Sequence, residues 1–165
     1  MNYAMIDCET FGLAPNSVIL SIGAVTAEGA EFYLPVDITA QPGREVDLDT
    51  VKWWFTQETN PPTHGTMLLS EALIKLANWL SDENVTEVWA NGSDFDFPLL
   101  VTAYKAEGLQ VPWKYNNVRD YRTLSKLFPR IEREPFVGAK HNALDDAKNQ
   151  MTHLKTLLEY VRVQK

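Results

Sequence analysis

Cysteine is almost absent from this sequence of 165 residues, which contains only Cys8. A single cysteine cannot form an intramolecular disulfide, and this predicts a protein of a reducing compartment, the cytoplasm. No apolar run approaches the roughly 18–20 residues that a membrane-spanning helix needs. The N-terminal segment also lacks a basic stretch followed by an apolar core, so we expect neither membrane insertion nor export.

Basic residues are in the minority. Fifteen Lys and Arg stand against 22 Asp and Glu, which gives a formal net charge of −7. This deficit argues against a protein that coats nucleic acid by neutralising phosphates. It leaves open a nucleic-acid enzyme whose acidic residues surround metal ions. The hydrophobic content of 45% is ordinary for a globular protein, and the length predicts one domain over residues 1–165.

The order of strand-like and helix-like segments predicts a mixed α/β fold. Strand patterns are found over residues 3–8, 17–29, 30–36, 87–91 and 115–120, and the second and third are expected to pair as an antiparallel hairpin. Helices are predicted over residues 47–58, 70–80, 94–108 and 143–163, with Ser70 and Asp94 as N-terminal caps of the second and third. The last helix has a predicted apolar stripe of Leu144, Ala147, Met151, Leu154, Leu158 and Val161. This order indicates a sheet covered by helices.

The first strand carries two carboxylates in "IDCET". Asp7 and Glu9 share one face, while Ile6 and Cys8 share the other and are predicted to pack in the core. Like charges about 4 Å apart at an effective dielectric constant of ~20 repel by on the order of 4 kcal/mol. Either the strand end is solvated or a cation neutralises the pair, and the pair alone leaves both interpretations open.

Two later segments place acidic residues at helix starts. In "NGSDFDFP", Asp96 lies between two phenylalanines, although acids in a first helical turn often do no more than complement the helix dipole. In "HNALDDA", Asp146 borders the apolar stripe and His141 precedes the helix, where a lone histidine is usually structural. Because an α/β sheet gathers strand ends and helix starts at one edge, four acids are predicted to converge there. Mg²⁺ or Mn²⁺ would fit such an oxygen-rich site.

The order "IDCETFG … NGSDFDFPLL … HNALDDA" resembles the DEDD superfamily of 3′–5′ exonucleases. The histidine of the third motif is typical of the DEDDh branch, and "ILSIGAV", "WW" and "RDYRTL" are similar to segments of compact single-domain exonucleases from phages and prophages. The resemblance implies a ribonuclease H-like fold, with three antiparallel strands followed by parallel strands and flanking helices. It also implies a metal-dependent 3′–5′ exonuclease that releases nucleoside 5′-monophosphates from DNA or RNA.

The resemblance further implies the roles of individual residues. Two Mg²⁺ or Mn²⁺ ions would be held by Asp7, Glu9, Asp96 and Asp146, with Asp7 between both ions. His141 would be the general base, since an unperturbed imidazole has a pKa near 6.5, and Glu9 is also expected to take part in catalysis.

The substrate is expected to be a single-stranded or frayed 3′ end. Its terminal nucleotide is predicted to contact Thr10, Gly12, Leu13, Trp53 and Phe95, and a base stacked on Trp53 would gain ~1–3 kcal/mol. Trp54 is expected in the core instead. The tryptophans and the acidic surface are compatible with a homodimer.

Two other functions are compatible with parts of this pattern. A nuclease of the ribonuclease H or integrase type would share the sheet and the acidic chemistry, but the Asp7–Glu9 pair and the His141–Asp146 spacing favour the exonuclease. A catalytically inactive nucleic-acid-binding module of the same fold is the non-enzymatic alternative, which the presence of all five expected residues makes less favourable.

Overall fold

The computed structural model describes residues 2–163, and their five strands form one mixed sheet. The strands are β1 (Asn2–Thr10), β2 (Ile19–Thr26), β3 (Glu31–Pro35), β4 (Val85–Ala90) and β5 (Val118–Asp120), in the spatial order β3-β2-β1-β4-β5. The first three pair antiparallel, and β4 and β5 run parallel to β1. The predicted mixed sheet is therefore confirmed.

Helices cover both faces of the sheet. They are α1 (Leu48–Trp54), α2 (Leu69–Asp82), α3 (Ser93–Ala106), α4 (Tyr121–Leu127) and α5 (Ala143–Val163), with a 3₁₀ turn at Tyr115–Asn117. None of the described helices is long and apolar enough to cross a membrane.

The central strand β1 divides its side chains between two cores. Ala4, Ile6 and Cys8 pack with residues of α2 and α3 on one face. Met5 points to the other face, where it packs with Met151 and other apolar residues of α5. The predicted packing role of Cys8 is confirmed, and the alternation places Asp7 and Glu9 on the face of α5.

A glycine lets the start of α5 lie directly on the sheet. Gly23 on β2 is the register partner of Asp7 on β1. A Cβ atom at Gly23 would lie 2.2 Å from the carbonyl carbon of Ala143, closer than side-chain atoms can approach. Only glycine therefore allows the first turn of α5 to sit beside Asp7, and this contact determines where the preceding loop and Asp146 lie.

Several details of the predicted helices were wrong. Ser70 lies inside α2, which begins after Leu68 without a side-chain cap, and Asp94 lies in the first turn of α3, which begins after Gly92. α1 ends at Trp54, four residues before its predicted end, so that Phe55 is exposed. The buried face of α5 is rotated from the predicted stripe and consists of Ala143, Ala147, Gln150, Met151, His153, Leu154 and Leu157. Local periodicity could not detect this rotation because polar Gln150 and His153 occupy core positions.

Candidate active site

Two segments that are distant in sequence, β1 and the start of α5 with its preceding loop, meet at the carboxyl end of β1. Glu9 from β1, Asp146 from α5 and His141 from the preceding loop each offer a ligand atom, and these atoms lie within 4.8 Å of one another. Asp7 lies two residues before Glu9 on the same strand face and is close enough to Asp146 for the two charges to interact. The geometry thus brings four of the predicted site residues together from two elements and one loop.

Asp96 reaches the same site from the opposite face of the sheet. It lies in the first turn of α3 and is 3% exposed. Its Oδ1 atom accepts a hydrogen bond of 3.0 Å from the backbone N–H of Cys8, between the two acids of β1. This contact fixes the start of α3 against β1 and places the Asp96 carboxylate close to Asp7.

His141 is held by a strained loop and by aromatic neighbours. Its φ of +62° lies in the left-handed region, which non-glycine residues rarely adopt. Its backbone N–H donates to Asp146 Oδ2 at 2.8 Å, so the carboxylate fixes the loop backbone. The imidazole makes edge-to-face contacts with Trp53 and Trp54, at ring-centroid distances of 4.8 Å and 6.0 Å. The ring is therefore confined to the space between the tryptophans and the acidic cluster.

Two polar residues that sequence reasoning missed support this cluster. Gln150 donates from Nε2 to Asp7 Oδ1 at 3.0 Å. Asp120 accepts from the backbone N–H groups of Gly92 and Ser93 at 3.0 and 2.9 Å, and from that of Thr123 at 3.0 Å. Asp120 therefore holds the starts of both α3 and α4. The sequence could have indicated Asp120 as the N-terminal cap of a helix, because an aspartate directly precedes "YRTL". Its contacts with Gly92 and Ser93 could not be predicted from the sequence.

The arginines near the site differ in their partners. Arg119 is paired with Glu87 at 2.7 Å, which gives it a structural role. Arg122 donates to the backbone carbonyl of Asn91 at 2.7 Å and is exposed.

Burial and mutual repulsion make the clustered acids difficult to ionise. Burial first, and then the Asp146 charge, raise the pKa of Asp7 to about 7, although the hydrogen bond from Gln150 lowers it. Burial and the neighbouring carboxylates raise the pKa of Glu9 to about 9. The pKa values of Asp96 and Asp146 are also raised, mainly by burial. Carboxylate oxygens match the ligands of hard divalent cations, and such a cation would favour the ionised acids.

These pKa shifts predict how the stability of the metal-free protein depends on pH. The folded state binds the protons of Asp7 and Glu9 more tightly than the unfolded state, whose pKa values are near 4. The contribution of these two acids to the free energy of unfolding is therefore fully present below about pH 4 and decreases as the pH rises to about 9. Urea unfolding in EDTA from pH 5 to 9 measures this. Mg²⁺ or Mn²⁺ should raise the melting temperature more at pH 8 than at pH 5, and an equal increase at both would contradict the prediction.

A cavity of about 420 Å³ adjoins the acidic cluster. Its lining includes Glu9 and four of the five predicted substrate contacts, namely Thr10, Leu13, Trp53 and Phe95. Trp53 is 42% exposed, and Asp47 and Asp49 also contribute to the lining. Trp54 is buried, as predicted, and donates from its indole Nε1 to the carbonyl of Thr10 at 2.9 Å.

The fifth predicted contact, Gly12, is not among the residues that line this cavity. A Cβ atom at Gly12 would lie 2.4 Å from Ser17 Oγ, so the absence of a side chain at Gly12 allows the loop to pack closely. Its contact with substrate stays a prediction.

A second cavity of about 310 Å³ lies beside Asp146 and His141. Its other lining residues are Asn91, Arg133, Glu134, Phe136, Lys140, Asn149 and Gln150. The guanidinium of Arg133 lies 5.2 Å from the centroid of the Tyr121 ring. No ion pair is formed by Arg133 or Lys140 within residues 2–163.

Comparison with known proteins agrees with this fold. The model of the family described as the 3′–5′ exoribonuclease Rv2179c-like domain matches residues 2–158. No curated protein sequence matches the chain significantly.

Solved structures of exonuclease I share the fold. A product-bound exonuclease I superposes with a TM-score of 0.66 at 11% identity, covering 98% of this chain and 46% of the other. Escherichia coli exonuclease I in complex with a dA16 oligonucleotide gives a TM-score of 0.64 at 14% identity, covering 98% and 43%. The zinc-bound complex of E. coli exonuclease I with single-stranded DNA gives a TM-score of 0.63 at 11% identity, covering 99% of this chain and 41% of the other. The chain thus spans less than half the length of these proteins, and the similarity confirms the predicted ribonuclease H-like fold.

Proposed function

The chain belongs to the family of the 3′–5′ exoribonuclease Rv2179c-like domain, and from this premise we propose that it is a 3′–5′ exonuclease, how it acts and on what. It hydrolyses the last phosphodiester bond of a single-stranded or frayed 3′ end and releases a nucleoside 5′-monophosphate. The family description makes RNA the leading substrate. DNA is the second candidate, because exonuclease I, which shares the fold, has been solved with single-stranded DNA.

The convergence of Glu9, His141 and Asp146 beside Asp7 and Asp96 is the observation that carries this proposal. The four carboxylates would hold two divalent cations, Mg²⁺ or Mn²⁺, and Asp7 would contribute to the binding of both. Bound there, the cations would supply charge stabilisation to the attacking and leaving oxygens of an in-line displacement. The raised pKa values of Asp7 and Glu9 support this assignment, because buried and mutually repelling acids need a counter-charge.

His141 acts as the general base that accepts a proton from the attacking water. Two features support this role. The ring adjoins Glu9 and Asp146, and Trp53 and Trp54 restrict its motion. Besides its proposed role in cation binding, the Asp146 carboxylate holds the backbone of His141 by accepting a hydrogen bond from its N–H group.

The terminal nucleotide occupies the 420 Å³ cavity. Its base lies among Leu13, Trp53 and Phe95, whose apolar surfaces suit a base of any identity. Asp47 and Asp49 on the wall of this cavity disfavour additional phosphates there, and this supports binding of the 3′-terminal unit, which has no phosphate beyond its sugar.

The test is digestion of 5′-labelled single-stranded RNA and DNA of the same sequence, with Mg²⁺ or Mn²⁺ and with EDTA. The expected result is a ladder of strands shortened from the 3′ end, release of nucleoside 5′-monophosphates, faster digestion of RNA, and no reaction in EDTA. A circular single strand should stay intact, because an exonuclease needs an end. Cleavage of the circle would instead support the ribonuclease H or integrase type of nuclease, and no shortening of either polymer would overturn the proposal.

The inactive binding module that the sequence left as an alternative gains no support from the family or from the site. A location in the cytoplasm, a single domain and a homodimer stay predictions.

A further inference from the structure

Gln150 is a polar residue at a core position of α5. It lies four residues after Asp146 and therefore on the same side of the helix, one turn further along. It is 7% exposed, whereas glutamine usually lies at the surface. Its neighbours along the buried face of the helix are the apolar Ala147, Met151 and Leu154. A buried amide among apolar residues loses hydration, and this loss needs a compensating interaction.

The orientation of the Gln150 amide is set by its partner. Asp7 Oδ1 lies 3.0 Å from Nε2. In the ionised form that binds a cation, the Asp7 carboxylate only accepts hydrogen bonds, so the amide NH₂ group of Gln150, and not its oxygen, must then face Asp7. The reversed amide would place two oxygen atoms against each other. The structure therefore fixes the Gln150 carbonyl on the side away from Asp7.

The Gln150 side chain lines a cavity, but its carbonyl oxygen is buried. Within residues 2–163 no group donates to Gln150 Oε1, and the same is true of Asn91 Oδ1, although both atoms are buried. Both residues line the 310 Å³ cavity beside His141 and Asp146. Gln150 thus has its amide NH₂ group committed to Asp7, while its buried carbonyl oxygen has no partner among the described residues.

We propose that Gln150 is a positioning residue, which holds the Asp7 carboxylate by hydrogen bonding so that it can bind a divalent cation. This inference rests on the proposed function, because it assigns a role to Asp7 in cation binding. An aspartate side chain rotates about two bonds, and a hydrogen bond to one oxygen restricts this rotation. Partners of metal ligands act in this way, and their loss typically costs 10–100-fold in metal affinity or activity.

The alternative is that Gln150 only fills space in the core. Gln150→Met distinguishes the two roles, because methionine is similarly long and unbranched and forms helices well, but cannot donate to Asp7. Gln150→Asn is a second variant that keeps the amide and withdraws it from Asp7 by one methylene group. Gln110→Met is the matched control, since Gln110 is exposed in the loop after α3 and lines none of the cavities described above.

The experiment is calorimetric titration of the metal-free full chain with Mn²⁺, together with thermal unfolding in EDTA and kinetics on an RNA oligonucleotide. We expect Gln150→Met to raise the Kd for Mn²⁺ by about 10–100-fold. The melting temperature in EDTA should stay close to that of the wild type, and kcat should recover as Mn²⁺ approaches saturation. Gln150→Asn should show the same change in Kd, and Gln110→Met should show none.

The two proposals fail in different ways. A wild-type protein without nuclease activity on either polymer overturns the proposed function. An active wild type whose Gln150→Met variant binds Mn²⁺ with unchanged Kd overturns the positioning role and leaves the function intact. If Gln150→Met does not fold, as judged by circular dichroism, Gln150→Asn decides the question by the same measurement.

Discussion

Replacing His141 with alanine is expected to lower kcat by about 10²-fold or more, the contribution typical of a positioned general base. Binding of Mn²⁺, measured by calorimetry, should be reduced far less, because the four carboxylates are retained. The imidazole lies between Trp53, Trp54 and the acids. Free imidazole added to the His141→Ala variant should restore part of the rate, because the small base can occupy the vacated space.

His64→Ala is the matched control for this experiment. His64 is exposed in the loop between α1 and α2, and its removal should change kcat by less than about twofold. Two outcomes would contradict the assignment of His141. Near-wild-type turnover of His141→Ala would remove it from the chemistry. A loss of Mn²⁺ affinity as large as that of a carboxylate variant would make His141 a ligand instead of a base, and its ligand atom is close enough to Glu9 and Asp146 for that role.

Replacing Asp7 with asparagine is expected to change activity and stability in opposite directions. Turnover should fall by about 10³-fold or more, at the upper end of what loss of one electrostatic contribution costs, because Asp7 is proposed to serve both cations. The metal-free protein should become more stable at pH 8, because the substitution removes a buried charge that is repelled by Asp146 and Glu9. Asparagine keeps an acceptor for Gln150, so the local packing is conserved.

Thermal unfolding in EDTA measures the effect on stability. A gain of 1 kcal/mol corresponds to an increase of about 2–4 °C in the melting temperature for a domain of this size. We expect an increase of at least this amount at pH 8 and a smaller one at pH 5, where Asp7 is protonated in the folded wild type. Asp82→Asn, at the exposed C-terminal end of α2, is the control and should change neither quantity. A decrease in the melting temperature of Asp7→Asn would show that repulsion among the acids does not limit the stability of the metal-free fold.

Much of the fold could be predicted from the sequence because backbone geometry imposes regular side-chain spacing. A strand alternates its side chains and a helix repeats every 3.6 residues, so the two faces of β1 and the extent of α5 follow from local spacing. The same regularity placed Asp7 with Glu9 on one face and Asp146 in a first helical turn. The order of the motifs then matched a known family, and this resemblance predicted the fold and the proposed exonuclease activity.

Only the tertiary structure could identify the contacts between distant segments. Gln150 and Asp7 are 143 positions apart, and Asp120 and Gly92 are 28 apart. Such contacts depend on strand order and on how closely helices approach the sheet, as Gly23 permits for α5. The edge-to-face contact of Trp53 with His141 has the same origin, since no local pattern relates the end of α1 to a loop some 90 residues later. Local patterns and the family resemblance thus predicted which residues carry the chemistry, and long-range packing determined which residues hold them in place.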